Sequence, residues 1–211
     1  MIDFKNSTLF ISARSPFARR VRLAFLEHGI KFEEKLLDVF KPNPELTKMN
    51  PLSRVPTLQL KSGNVLIDSN LILEVFYQKM SDSPLRAKSE KDLIIASRWS
   101  AIALGICDKS IEYFLEAQRS KELQDSSVFE ECISVVKASL DGFEIFIKER
   151  PTILSGSLSQ SDLDMGSALE YVGLRLPAEL LESNPESKRY LAALQARPSF
   201  QMTQPPPSLI V

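Results

Sequence analysis

The stretch Asn50–Phe76 reads NPLSRVPTLQLKSGNVLIDSNLILEVF. Thr57–Lys61 places Leu58 and Leu60 on one face, the alternation of a half-buried strand. Ser62-Gly63-Asn64 is turn chemistry, and Val65-Leu66-Ile67 returns as a second strand, so the two form a hairpin. Asp68-Ser69 then caps a helix in which Leu71, Ile72, Val75 and Phe76 face the sheet. Local chemistry alone therefore predicts a ββα unit.

Upstream, Thr8–Ile11 is a compact apolar strand. Pro16 at a first helical position and Gly29 just past a last turn bracket a helix. Phe17, Val21, Ala24 and Phe25 form its apolar face. Lys31–Val39 is a second strand, and the Pro- and Asn-rich segment 41–50 connects it to the hairpin. The order is βαβ followed by ββα. Downstream of Ser81-Asp82-Ser83-Pro84 the pattern is helical throughout. Residues 86–118 and 126–148 carry helical periodicity, the latter through Val128, Cys132, Val135, Ser139, Phe143 and Phe146 or Ile147. Ser159 with Asp162 three residues on is a short-armed capping box, opening a helix that runs to about Gly173. Another helix spans Pro185–Ala196 and is stopped by Pro198, and the proline-rich tail TQPPPSLIV continues none. The expected architecture is an α/β domain at 1–80 and an all-helical domain at 86–211.

Bulk properties exclude several functions. With 26 basic and 27 acidic side chains among 211 residues, there is no basic excess to mark a nucleic-acid partner. No apolar run reaches the roughly 18 residues of a membrane span, and the opening MIDFKNSTLFISARS lacks a signal peptide's basic and apolar regions. A cytoplasmic protein is expected. Cys107 and Cys132 lie in apolar helical patterns, as buried thiols in a reducing compartment do. One histidine and two scattered cysteines offer no metal-ligand spacing, and His28, beside Gly29, reads as a helix C-terminal residue.

Four segments together resemble the cytosolic glutathione S-transferase family: SPFARRVRLAFLEHGIKFE, NPLSRVPTL, IDSNLILEV, and the helical half with SLSQSDLDMGSAL and ARPSFQ. SPF followed by RRVR is similar to the serine-type members, and the ending to small bacterial members of unassigned class. The resemblance implies a thioredoxin-like domain plus a helical bundle, a homodimer, glutathione as co-substrate, a small hydrophobic electrophile and no metal. It makes Ser15 the catalytic hydroxyl. A free thiol has a pKa of about 8.5, and the thiolate is the nucleophile. A hydroxyl donating to the sulfur favours the ionised form, as does a helix N-terminus. Ser15 donates and does not attack. The plain alternative is that Ser15 only caps the helix opened by Pro16, and Ser12 is the rival hydroxyl.

By the same resemblance Val55, before a cis Pro56, pairs its backbone with the cysteinyl backbone of glutathione as an added strand would. Ser69 takes the γ-glutamyl carboxylate, Asp68 the γ-glutamyl ammonium, and Arg54 a glutathione carboxylate. Arg20 and Arg22 follow the family's RVR signature and Arg19 is read as solvated; none is assigned chemistry. The electrophile pocket is expected between the domains, at Phe17, Trp99, Ile102 and Ile106. Two other functions fit this fold. A glutathione-dependent reductase or peroxidase wants a cysteine where Ser15 stands. A non-catalytic relative acting through protein partners, as the stringent starvation protein does, has no need of Ser15, Arg54, Val55, Asp68 and Ser69.

Overall fold

The computed structural model describes residues 2–154 and 156–205. The chain forms two compact units, one of the residues up to Ser83 together with those from Pro198, the other spanning Pro84–Arg197.

The first unit contains β1 (Thr8–Ile11), α1 (Pro16–Glu27), β2 (Glu33–Leu36), α2 (Pro44–Met49), β3 (Thr57–Gln59), β4 (Val65–Ile67) and α3 (Ser69–Lys79). The strands lie in the order β2-β1-β3-β4. β1 pairs in parallel with β2 and antiparallel with β3, which pairs antiparallel with β4. The hairpin forms as expected, with Gly63 at a positive φ of 88° in its turn. β2 is shorter than the expected Lys31–Val39 and exposed along its whole length, as an edge strand with one partner can be.

Helix α1 ends in a Schellman motif: Ile30 N–H donates to Phe25 C=O at 2.9 Å and Gly29 N–H to Leu26 C=O at 3.0 Å. His28 is its C-cap residue. The His28 Nδ1–H donates to Ala24 C=O at 2.6 Å, and Nε2 lies 2.7 Å from Ser83 Oγ. Phe4, Phe25 and Phe76 pack their rings 5.0–5.7 Å apart at the centre of this unit's core.

Three local expectations change here. The connecting segment contains α2, started by the Asn43 side chain accepting from Leu46 N–H and by Pro44 in the first turn. The buried face of α3 is Ile72, Leu73 and Phe76, while Leu71 is exposed. Pro198 does not merely stop a helix. It opens the short α9 (Pro198–Met202), which packs on α1, although the sequence pattern places this stretch with the helical domain. The tail expectation falls partly on residues outside those described; Thr203–Pro205 are not helical.

The second unit contains α4 (Glu90–Ala117), a 3-10 turn at Lys121–Leu123, α5 (Ser126–Ile147), α6 (Gln160–Arg175), α7 (Glu179–Glu182) and α8 (Pro185–Gln195). The face of α5 in the core is Cys132, Val136, Leu140, Phe143 and Ile147; Val135 is exposed, one position off the expected stripe. Cys107 and Cys132 are buried and in no disulfide, and burial first, then Glu112, pushes the Cys132 thiol up. Asp162 is fully buried at the start of α6 and accepts from Ser159 N–H, Ile153 N–H and Tyr190 O–H, each at 2.8 Å, and from Ser159 O–H at 2.5 Å. Among the described residues, no helix is long and apolar enough to cross a membrane.

Candidate functional site

Ser15 stands between β1 and α1 as the N-cap of α1, in extended conformation. Its N–H donates to Ser12 C=O at 3.0 Å, so the two rival hydroxyls share one turn. Ser15 Oγ accepts from Ala18 N–H at 3.2 Å. That contact fixes the polarity of the hydroxyl: a lone pair is occupied and the hydrogen remains to be donated elsewhere. Among the described residues nothing accepts it. The first turn of α1 contains no acidic side chain to oppose an anion.

The Val55–Pro56 bond is cis. The loop leading to it is wired by Asn50, buried at the end of α2. Asn50 Nδ2 donates to Arg54 C=O at 3.0 Å and to Thr57 Oγ1 at 2.9 Å, while its Oδ1 accepts from Leu52 N–H at 3.0 Å. Thr57 O–H also donates to Arg54 C=O, at 2.9 Å. Arg54 is exposed and Val55 half-buried. The Val55 backbone N–H and C=O take part in no hydrogen bond among the described residues, which suits an added strand.

Asp68 is the N-cap of α3 at φ 69°, ψ 136°, and its Oδ1 accepts from Asn70 N–H at 2.7 Å. A positive φ at a residue with a Cβ costs about 1–3 kcal/mol and concentrates at ligand sites. Ser69 follows in the first turn, 3% exposed.

The arginines of α1 correct the sequence reading. Arg19 is buried, donating from Nη2 to Phe200 C=O at 3.2 Å with its guanidinium 5.4 Å from the Phe200 ring centre. Arg22 grips both oxygens of Glu34 on β2, at 2.8 and 2.9 Å. Arg20 is buried, and its Nη1 donates to Ser69 Oγ at 3.0 Å and to Asn70 Oδ1 at 2.7 Å. One signal for Arg20 was available: it shares a helix face with Phe17, Leu23 and Ala24, where a surface arginine would not stand.

The expected electrophile-pocket residues do not form one cluster within either unit. Phe17 is half-buried on α1 of the first unit. In the helical unit, Trp99 and Ile102 line a groove of about 630 Å³ between α4 and α5 with Arg98, Ile145 and Phe146, whereas Ile106 is buried in the core. Among the described residues, no group of three or more His, Cys, Asp or Glu side chains is placed to hold a metal ion.

A mixed sheet in the order β2-β1-β3-β4 with a cis-proline loop before β3, followed by a separate helical unit, is the thioredoxin-like N-domain and all-helical C-domain of the glutathione S-transferase fold. Residues 14–79 match the family model described as glutathione S-transferase, N-terminal domain. The chain is similar to a glutathione S-transferase from Methylobacterium radiotolerans in complex with glutathione sulfonate, with 26% identity, 95% of each chain covered and a TM-score of 0.90. It is also similar to one from Methylobacillus flagellatus with glutathione bound, with 29% identity, a TM-score of 0.88, and 95% of this chain and 100% of that chain covered. The uncharacterized GST-like protein YibF of Escherichia coli (strain K12) is 25% identical over 92% of this chain and 96% of its own. The chain thus resembles the glutathione S-transferase family, in its first unit through the matched domain model and over nearly its whole length through its fold.

Proposed function

We propose that the protein binds glutathione in its first unit and transfers it to a small hydrophobic electrophile, with Ser15 holding the sulfur as thiolate. The observation that carries this reading is the polarity of Ser15: its oxygen accepts from Ala18 N–H, so its hydrogen is available to a sulfur anion above the start of α1. The thiol proton leaves to water, and the sulfur electron pair forms the S–C bond. The electrophile then loses a leaving group or takes a proton. Val55 supplies backbone partners for the cysteinyl residue, Ser69 and Asp68 the γ-glutamyl end, and Arg54 a carboxylate. The similar structures with glutathione or its sulfonate bound support this assignment. A cysteine-based reductase is disfavoured, since Ser15-Pro16-Phe17-Ala18 contains no thiol and both cysteines are buried in the helical unit.

Isothermal titration with glutathione tests the reading. Saturable heat is expected; no heat and no competition up to millimolar glutathione would leave a scaffold acting through protein partners. The same reading carries a cytoplasmic homodimer. Ile94 and Ile145, 69% and 80% exposed on α4 and α5, are apolar surface for a second copy to cover. Light scattering should give twice the chain's 23.7 kDa; the mass of a single chain would overturn the dimer.

A further inference from the structure

The loop between α2 and β3 is tied down at nearly every residue. Ser53 has a left-handed φ of 49°, which a residue with a Cβ keeps only when its surroundings impose it. Asn50 imposes it: its C=O accepts from Ser53 N–H at 2.8 Å and its Oδ1 from Leu52 N–H at 3.0 Å. The Thr47 and Ser53 hydroxyls, 2.8 Å apart, close the same turn. These ties converge on one peptide group. Arg54 C=O accepts from Asn50 Nδ2 at 3.0 Å and from Thr57 O–H at 2.9 Å, and both donors belong to buried side chains. The two inward donors occupy both lone pairs of that oxygen. The Arg54–Val55 peptide is planar and trans, so its N–H points away from its C=O. Val55 N–H is thereby turned outward, and among the described residues it has no acceptor.

We infer that Asn50 and Thr57 are positioning residues that fix the polarity of the Arg54–Val55 peptide, so that the loop offers a ligand an N–H there and not an oxygen. The inference rests on the glutathione reading and deepens it: the group selected is the cysteinyl carbonyl, which an N–H binds and an oxygen repels. Turning the peptide over would present Arg54 C=O to the ligand and strand the buried donors of Asn50 and Thr57. The cost of leaving buried donors without partners keeps the peptide as it is. Neither side chain has to touch the ligand to set its affinity.

Two substitutions at one position separate this role from packing. Thr57→Val keeps the branched shape and loses the hydroxyl, whereas Thr57→Ser keeps the hydroxyl and loses the methyl group. In titration calorimetry, Thr57→Val should bind glutathione about three- to tenfold more weakly at unchanged stoichiometry, the range of one neutral hydrogen bond. Thr57→Ser should retain most of the native affinity. Full affinity in Thr57→Val, or an equal loss in both variants, would overturn the proposal. Amide exchange followed by NMR reads the peptide itself. Saturating glutathione should protect Val55 N–H in the unmodified protein and in Thr57→Ser, and protect it less in Thr57→Val; equal protection in all three would also overturn the proposal. Should Thr57→Val fail to fold, Asn50→Asp decides. A carboxylate of the same shape has no hydrogen to give Arg54 C=O, so glutathione affinity should fall there too, and unchanged affinity would overturn the proposal. Absence of glutathione binding by the unmodified protein would instead overturn the glutathione reading on which the inference stands.

Discussion

In the helical unit, the serines that start helices close on an acid three residues along the chain. Ser89 Oγ donates to Asp92 Oδ2 at 2.8 Å before α4, and Ser159 Oγ donates to Asp162 Oδ2 at 2.5 Å before α6. In the first unit the serines at the starts of α1 and α3 have no such acid. Ser15 accepts from its own helix and Ser69 from Arg20, and each keeps a hydrogen to donate. A helix start neutralised by its own carboxylate is a folding device; one without an acid in its first turn is electrostatically open to an anion. Ser15 stands at the N-cap as Ser89 and Ser159 do, whereas Ser69 follows the Asp68 N-cap, whose carboxylate accepts from Asn70 N–H. What α1 and α3 share is a third helical residue that is not an acid.

The largest effect should come from opening a closed start. Asp162→Ala removes the acceptor of four hydrogen bonds in a fully buried place and strands donors on Ser159, Ile153 and Tyr190. A loss on the order of 3 kcal/mol of stability is expected from unsatisfied buried donors. Glutathione affinity of the folded fraction should not change, since this start is not a ligand site. The pH dependence has a definite sign. Burial raises the Asp162 carboxyl above its ordinary 3.8, against the Ser159, Ile153 and Tyr190 hydrogen bonds that lower it. The folded state therefore holds this proton to higher pH than the unfolded chain. Its contribution to stability is full below the unfolded value and is lost as pH rises to the folded one, with no further change above. Urea unfolding should show this falling limb in the native protein and not in Asp162→Asn; identical pH profiles would contradict it.

Removing the open hydroxyl at α1 should produce the next largest effect. Ser15→Ala should lower the conjugation rate about 10–100-fold, the range of a hydrogen bond to a charged group, with glutathione KM little changed. The ultraviolet thiolate band of bound glutathione should titrate at higher pH. An unchanged titration would move the role to Ser12 or to backbone donors and would remove Ser15 from the comparison.

How much of this was legible depended on how far each partner lies along the chain. Pro16 and Gly29, the hairpin turn at Gly63, and Ser159 with Asp162 are local devices, and each was read in place. The faces of α3 and α5 were misjudged by a position or two, because Leu71 or Leu73, and Val135 or Val136, satisfy a 3.6-residue period almost equally well. Packing against neighbouring elements selects Leu73 and Val136. For the arginines of α1, spacing marks Arg20 as lying on the apolar face but names no partner for it or for Arg19. Arg20 meets Ser69 across 49 residues and Arg19 meets Phe200 across 181. Local chemistry marks Ser15 and Ser69 only as helix-start residues; their ligand roles come from the family resemblance alone.

Ser69→Ala comes next in size. Its contact is the same before and during the reaction, so it should raise glutathione KM about tenfold and leave kcat nearly unaltered. A fall in kcat as deep as that of Ser15→Ala would mean that the two open starts do not divide binding from ionisation, and the distinction between them would have to be abandoned.

The smallest effect, and the one that sharpens the comparison most, comes from converting an open start into a closed one. Leu71 occupies the third position of α3 and is 41% exposed, so a longer polar side chain there meets no packed neighbour. Leu71→Glu places in α3 the acid that α4 and α6 carry at that position. The carboxylate should favour the helix by about 0.3–1 kcal/mol through the macrodipole, and by reaching back to the Asp68 N–H as a capping box does. The same charge should repel a ligand carboxylate at Ser69. The expected result is a slightly higher unfolding midpoint together with glutathione binding weakened a few-fold, the weakening shrinking as salt screens the exposed charge. A midpoint that rises while glutathione affinity stays constant at low salt would show that the absence of an acid from this turn has nothing to do with the ligand.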